Sequence, residues 1–174
     1  MESVTRTVPA TAPGDLALVQ RFLNTLHVER GTDELADPGA AATWLAAARL
    51  PGEPDLALLR GLRRELRALC GDGTPHPGRL AAIADAAPLQ VALDPHDHLV
   101  LRPHGAGAAV ATLLAHVVDA QADGTWHRLK ICRHDGCRWA FYDGSRSRTA
   151  TWCAMGICGN RTKVAAYRRR SPAG

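Results

Sequence analysis

The chain has 174 residues, 46% of them hydrophobic and 22% charged, and a net charge of +4 at pH 7. That is enough apolar mass for one domain with its own core plus a small appendage, and it excludes a fully disordered or collagen-like chain. No run approaches the ~20 apolar residues of a membrane-spanning helix, and the first residues lack the pattern of a signal peptide, so the expectation is a cytoplasmic protein with no membrane. The +4 hides a division. Residues 1–125 carry 10 Lys and Arg against 15 Asp and Glu, a net of −5, whereas residues 126–174 carry 11 against 2, a net of +9. An acidic body followed by a basic tail points to a polyanion-binding appendage, and the alternative is a merely solubilising tail. Arg outnumbers Lys 19 to 2 throughout, so the clustering of charge carries the information and the choice of Arg does not.

In chain order, residues 1–12 are polar and are expected to be disordered. Leu16, Val19, Phe22, Leu23 and Leu26 form a helical stripe over 15–28. A second helix is expected over 38–50, with Asp37 as N-cap and Pro51 as stop. The third, 55–70, has Leu56, Leu58, Leu59, Leu62, Leu66 and Leu69 inside and Arg60, Arg63, Arg64 and Arg67 largely outside. A short helix follows at 77–86. Alternation on either side of Asp94-Pro95-His96-Asp97 predicts a β-hairpin over 89–101. A last helix of the body runs over 107–123. Residues 126–131 and 138–143 read as short strands, and helical character returns from Cys158 onward.

Four of the five cysteines lie within 27 residues, as Cys132-x4-Cys137 and Cys153-x4-Cys158. Two close pairs bracketing a loop suit a structural zinc ion, which takes four ligands at tetrahedral corners. A reducing cytosol disfavours the alternative of two disulfides, and unrelated free thiols would not fall into two equally spaced pairs. The first pair is placed at the hairpin between the two strands as a zinc knuckle, with Trp152 packed over the site. The surrounding residues have too little apolar mass to fold alone, so one zinc per chain would supply the folding energy.

The segment from Cys132 to Arg170 resembles the CGNR zinc-finger family. The resemblance rests on the two cysteine pairs, Phe141-x-Asp143-x-Ser145, Trp152-Cys153, the literal Cys158-Gly159-Asn160-Arg161, Lys163 and the Tyr167-Arg168-Arg169-Arg170 ending. It departs at 144–148, where the family often has a residue such as Asn. The preceding region resembles the ABATE-type domain through Phe22-Leu23-Asn24-Thr25-Leu26, Asp33-Glu34-Leu35, Trp44-Leu45 and Leu62-Arg63-Arg64-Glu65-Leu66-Arg67. Together the parts resemble bacterial stress-induced transcription regulators. The division expected is a disordered segment 1–12, a mainly helical ABATE-like domain over 13–125 with a small β-hairpin, and a zinc finger over 126–174. The fold expected is α+β, mainly α, with a treble-clef-like four-cysteine finger ending in a helix.

The functional expectation is a zinc-dependent DNA-binding regulator. Arg146, Arg148, Arg161, Lys163, Arg168, Arg169 and Arg170 would contact nucleic acid, with Arg161 bracing the finger as an alternative role. Trp152, Gly159 and Asn160 would support the zinc site, and the acidic body would serve homodimerisation or bind a small-molecule effector. The alternative function is a protein-interaction module docking an acidic partner, or RNA. No catalytic constellation stands out, and a closed four-cysteine site leaves no open metal position, so no enzyme is expected. His96 and His98 are read as a solvated turn rather than a metal pair. His104 to Ala109 is read as a helix-entry loop rather than a phosphate loop, and Cys70 as a buried structural thiol rather than a redox sensor. His127 and His134 are not expected to replace a cysteine ligand. Asn24 is read as hydrogen-bonding a neighbouring loop, with effector contact as the sharper alternative.

Overall fold

A computed structural model describes residues 10–170. It is mainly helical with three small antiparallel strand pairs, as the composition and patterning indicate. Helix α1, Leu16–Leu23, buries Leu16, Val19, Phe22 and Leu23. It ends five residues before the expected point, and beyond it the Thr25 hydroxyl donates back to the Phe22 carbonyl (2.7 Å). The chain then forms a two-residue hairpin, β1 (Leu26–His27) and β2 (Thr32–Asp33), turning through Gly31 at φ +64°. Helix α2, Pro38–Ala48, begins at Asp37, whose carboxylate accepts the Ala40 amide (2.9 Å). It stops at Arg49 in the left-handed region. Helix α3, Leu56–Leu69, is capped by Asp55, and α4, Pro77–Asp85, by the His76 side chain. Strands β3 (Leu89–Leu93) and β4 (Leu99–Pro103) form the expected hairpin, and α5 covers Ala108–Ala122. Gly107 opens α5 where a Cβ would lie 2.4 Å from the Ala86 carbonyl oxygen, which supports the helix-entry reading of this loop.

Residues 126–131 do not form one strand. Trp126–Arg128 is a 3-10 turn and β5 is Leu129–Ile131, paired with β6, Ala140–Tyr142. A π-helical turn, Met155–Gly159, leads into α6, Asn160–Arg170. Residues 10–12 are held, unlike the disorder expected of 1–12. Ala12 is buried and its amide donates to Gln20 Oε1 (2.7 Å), while the Ala10 carbonyl accepts from Tyr142 N and Gln20 Nε2. The remainder of that expectation, residues 1–9, lies outside the described residues.

One apolar core joins α1, α2, α3 and α5, with Phe22 against Trp44 at 5.7 Å between ring centroids. Leu129, Ile131 and Ala140 of the β5–β6 hairpin belong to the same core. Packing therefore continues across the expected boundary at residues 125 and 126.

The polar surface of α3 is the main correction to the helical reading. Arg63 and Arg67 face inward, at 6% and 4% exposure, while Leu69 is 40% exposed. Arg63 grips Asp33 with both terminal nitrogens and also donates to Thr25 Oγ1 (2.9 Å). Arg67 donates to Asp72, to the Leu23 carbonyl (3.0 Å) and to the Arg138 carbonyl (2.8 Å). A buried guanidinium is tolerated when its donors are met by a carboxylate and carbonyls. Periodicity alone cannot reveal this, since the partners are remote in sequence. Glu65 is also buried. The His76 amide donates to it at 2.7 Å and, against the cost of burial, holds its carboxyl below the usual range, with Arg64 adding to the effect. Burial would raise the Asp33 carboxyl, but Arg63 and the Leu35 amide more than offset this and leave it lowered.

Because its folded-state pKa is depressed, Asp33 stabilises the fold above the unfolded carboxylate range and loses that contribution as pH falls through its folded value. The unfolding midpoint should therefore fall on acidification below about pH 4. Asp33→Asn should show a shallower fall than the unaltered chain in thermal scans from pH 6 to pH 3. An unchanged slope would remove Asp33 from the account.

Candidate zinc centre and basic surface

The β5–β6 hairpin presents Cys132 and Cys137 from the link that follows β5. The Cys132 amide donates to Trp139 O (2.9 Å), and Cys137 N donates to His134 O (2.8 Å), closing the knuckle. Cys153 and Cys158 arrive from the turn before α6. The four sulfurs all lie within 4.8 Å of one another, with Cys137–Cys153 at 3.6 Å and Cys153–Cys158 at 3.7 Å. A tetrahedron with zinc–sulfur arms of ~2.3 Å has edges of about 3.8 Å. The donor set therefore fits one zinc ion, and being all-thiolate and closed it fits a structural role.

The electrostatics are those of a crowded anion site. The neighbouring Cys137 and Cys153 sulfurs hold Cys132 far below the ordinary thiol range, helped by the Cys153 and His134 amides. Cys132 and Cys137 in turn push Cys153 up, and burial together with the charge on Cys132 pushes Cys158 up to about 12. Sulfurs this close cannot all ionise unaided; a divalent cation would balance them. His134 and His127 are not in this cluster.

The signature residues around the site have visible tasks. Trp152 packs with Cys132, Cys137, Phe141 and Cys158 in a small second core. Gly159 lies beneath it; a Cβ there would meet Met155 Sδ at 2.6 Å and Trp152 Cε3 at 3.5 Å. Asn160 Nδ2 donates to Gly156 O (3.0 Å), so Asn160 braces the turn carrying Cys158. Asp143 organises the loop before the second pair. It is buried, and accepts from Lys130 Nζ (2.6 Å), Ser145 N and Oγ, and Ala150 N (2.9 Å). Burial opposes its charge, but these donors hold its carboxyl below the ordinary range.

The finger is tied to the body along the outer edge of β6. Asn24 places its amide against Ala140 as a peptide group would: Nδ2 donates to Ala140 O (2.9 Å), and Ala140 N donates to Oδ1 (2.8 Å). Gln20, one helical turn earlier, also reaches Ala140 O (3.3 Å). Ile131 N donates to Cys70 O (3.0 Å), and Arg138 pairs with Asp72. Asn24 thus bonds a neighbouring segment, in line with the simpler of its two readings. Burial pushes the Cys70 thiol up to about 12, consistent with a structural thiol. His96 and His98 sit at an exposed turn organised by Asp94, which accepts both of their amides. They belong to no group of three metal-binding side chains among the described residues.

The basic side chains divide into two groups. Arg128 donates to the Asp143 and Ser145 carbonyls, Lys130 to Asp143, and Arg138 to Asp72. Arg161 forms an ion pair with Glu29 of the body (2.9 Å). Arg146, Arg148 and Lys163 are exposed, with no ion pair among the described residues. Arg133, passed over in the sequence reading, has the same character; its place inside the knuckle was the available signal. The backbone of Arg168, Arg169 and Arg170 lies in α6, but their side chains fall outside the described set.

A mainly helical body that closes its core around a four-cysteine finger defines a two-part zinc-finger protein. The ABATE family model, described as "Putative stress-induced transcription regulator", matches residues 16–124, more than half of the chain, and the chain belongs to that family. The CGNR zinc-finger model matches residues 128–171. No curated protein matches the chain. Among the described residues no helix is long and apolar enough to cross a membrane.

Two measurements follow. Asn24→Ala removes two hydrogen bonds and leaves the Ala140 edge unpaired, at a cost of about 1–3 kcal/mol, read as a lower unfolding midpoint. Cys153→Ser should reduce bound zinc from one per chain to near zero by elemental analysis. Because β5 and β6 share the body's core, the same change should lower the unfolding midpoint of the whole chain, not of the finger alone. An unaltered midpoint for the body would show that the two parts are energetically separate.

Proposed function

We propose that this protein is a zinc-dependent DNA-binding transcription regulator. Cys132, Cys137, Cys153 and Cys158 would ligate one structural zinc, with Trp152, Gly159 and Asn160 supporting it. The observation that carries the reading is the sorting of charge on the finger. Cations bonded inward build the module, whereas Arg133, Arg146, Arg148 and Lys163 remain exposed with no ion pair among the described residues. Residues 160–170 add Arg168, Arg169 and Arg170 to a helix without a single acid. Phosphate contacts from such groups release counterions and give affinity without sequence selectivity. Arg161, engaged by Glu29, is assigned to bracing. The matched families are regulatory and zinc-finger families, in keeping with a non-catalytic role.

The units proposed are a body over 13–125 and a finger over 126–174, working as one piece because of their shared core. Effector sensing has support from a cavity of about 880 Å³ lined by both, with Trp44 and Glu34 from the body and Trp139 and Ile157 from the finger. The volume lies in the range of small-molecule sites.

Zinc-loaded protein should bind duplex DNA with an affinity that falls steeply with salt. Arg133→Ala, Arg146→Ala, Arg148→Ala and Lys163→Ala should each weaken binding across sequences and flatten the salt slope by about one unit. Arg161→Ala should mainly lower stability. Gel shifts with RNA and heparin as competitors decide between partners. Absence of DNA binding at low salt would overturn the reading, and preference for RNA or for an acidic protein would replace it.

A further inference from the structure

The cavity shared by the body and the finger ends on the cysteine cluster. Cys137, Cys153 and Cys158 are on its wall, whereas Cys132 is fully buried and is not among the residues that line it. Cys153 is the most accessible of the four: it is partly buried, while Cys132, Cys137 and Cys158 are 0%, 7% and 3% exposed. Cys132 also accepts hydrogen bonds from the Cys153 and His134 amides, which draw electron density from its sulfur. The rest of the wall is largely apolar, with Ala17, Ala40, Trp44, Ala47, Trp139 and Ile157. Its charged residues, Arg21, Glu29, Arg30 and Glu34, all occupy exposed positions. The space of about 880 Å³ suits a molecule of drug size. An apolar molecule with flat rings has indoles to lie against and a sulfur within the same walls.

A thiol that ligates zinc is held as thiolate, and the thiolate is the nucleophilic form of cysteine. Four thiolates outweigh the charge of one divalent ion, so the ion cancels only part of their electron richness. A cavity that seats an electrophile beside such a sulfur raises its effective concentration there. We propose that this cavity takes an apolar, aromatic α,β-unsaturated ketone, and that Cys153 adds to it. The proposal rests on reading the cavity as an effector site beside a zinc centre, and it names the ligand class and the effect of binding. A lone pair of Cys153 Sγ forms a bond to the β-carbon of the enone. The C=C π pair moves to give the enolate, and the α-carbon then takes a proton from water, leaving hydroxide to the buffer. Nothing is oxidised or reduced overall, and no group leaves. The product is a neutral thioether in place of an anionic ligand, so zinc is lost from the site. The turn Met155–Gly159, which carries Cys158 into the basic helix α6, loses with it the folding energy that the metal supplies. Cys70 is packed against the main core and away from the cavity wall, and stays unmodified.

Treating the zinc-loaded full chain with trans-chalcone, an aromatic enone, tests it. Peptide mass mapping locates the adduct, and a zinc-binding dye follows release of the metal. One adduct should form on Cys153, with zinc released in step, and the rate should saturate with chalcone concentration as a preformed complex requires. Ala47→Trp and Thr43→Trp, at exposed positions on the cavity wall, should each slow the reaction at least tenfold. Ala42→Trp, exposed on the same helix but off the wall, should leave the rate unchanged. All three should keep one zinc per chain before treatment. Dihydrochalcone, which lacks the reactive double bond, should quench tryptophan fluorescence and protect Cys153. An adduct first on Cys70 or Cys132, a rate that rises without saturation, or equal rates in the wall variants would each overturn the inference. Binding of dihydrochalcone with no adduct from chalcone would overturn it too, while leaving the effector site standing. No binding of either compound would overturn both, and a chain without zinc would remove the metal centre along with the inference.

Discussion

The fold depends on how the outer edge of β6 is satisfied. A three-residue strand with one neighbour leaves the amide and carbonyl of Ala140 facing away from its partner. Buried peptide groups must be paired, and an unpaired one costs about as much as a lost hydrogen bond. Here the pairing comes from a side chain: the Asn24 carboxamide matches the donor and acceptor of Ala140, and Gln20 extends the contact by one turn. Arg67 does the same for the carbonyl of Arg138 at the knuckle. The body thus supplies through three polar side chains what a third strand would supply in a larger sheet, while Leu129, Ile131 and Ala140 complete its core in return.

This arrangement alters the meaning of the charge split. The +9 of the tail and the −5 of the body are sums over sequence, and part of each cancels at the junction. Arg138 meets Asp72, Arg161 meets Glu29, and Lys130 meets Asp143 within the finger. In the body, Arg63 and Arg67 pair inward with Asp33 and Asp72. Four bound thiolates and a zinc ion would add about −2. The cations left outside are fewer than the count implies, and they sit on the loop built around Asp143, on the knuckle closed by backbone hydrogen bonds, and on α6.

Much of this was legible in the sequence where a pattern is local. The Asp37 and Asp55 caps, the hairpin around Asp94 and the helices built on leucine stripes follow from spacing and turn chemistry. The four cysteines were legible because ligand geometry constrains sequence spacing directly. Most of the failures are long-range. Arg63 and Arg67 read as surface residues because a helical wheel cannot know that Asp33 and Asp72 lie beneath them. The β1–β2 pair is too short to leave a period. The Arg161 ion pair stayed hidden because its partner, Glu29, is 132 positions away. The continuity of the core across residue 125 was hidden by the change in composition there, which marks a change of charge and not a break in packing.

The four consecutive residues 22–25 at the end of α1 serve four different partners: Phe22 packs on Trp44, the Leu23 carbonyl takes Arg67, Asn24 takes Ala140, and Thr25 takes Arg63. Synthesis gives these contacts an order. Trp44, Arg63 and Arg67 emerge from the ribosome within about 45 residues of α1, but Ala140 follows Asn24 by 116 positions. At ~5–20 residues per second, the carboxamide stays without its partner for roughly 6–25 s while the helices around it assemble. The residues that complete this edge of the body are thus the last of the four partners to be made.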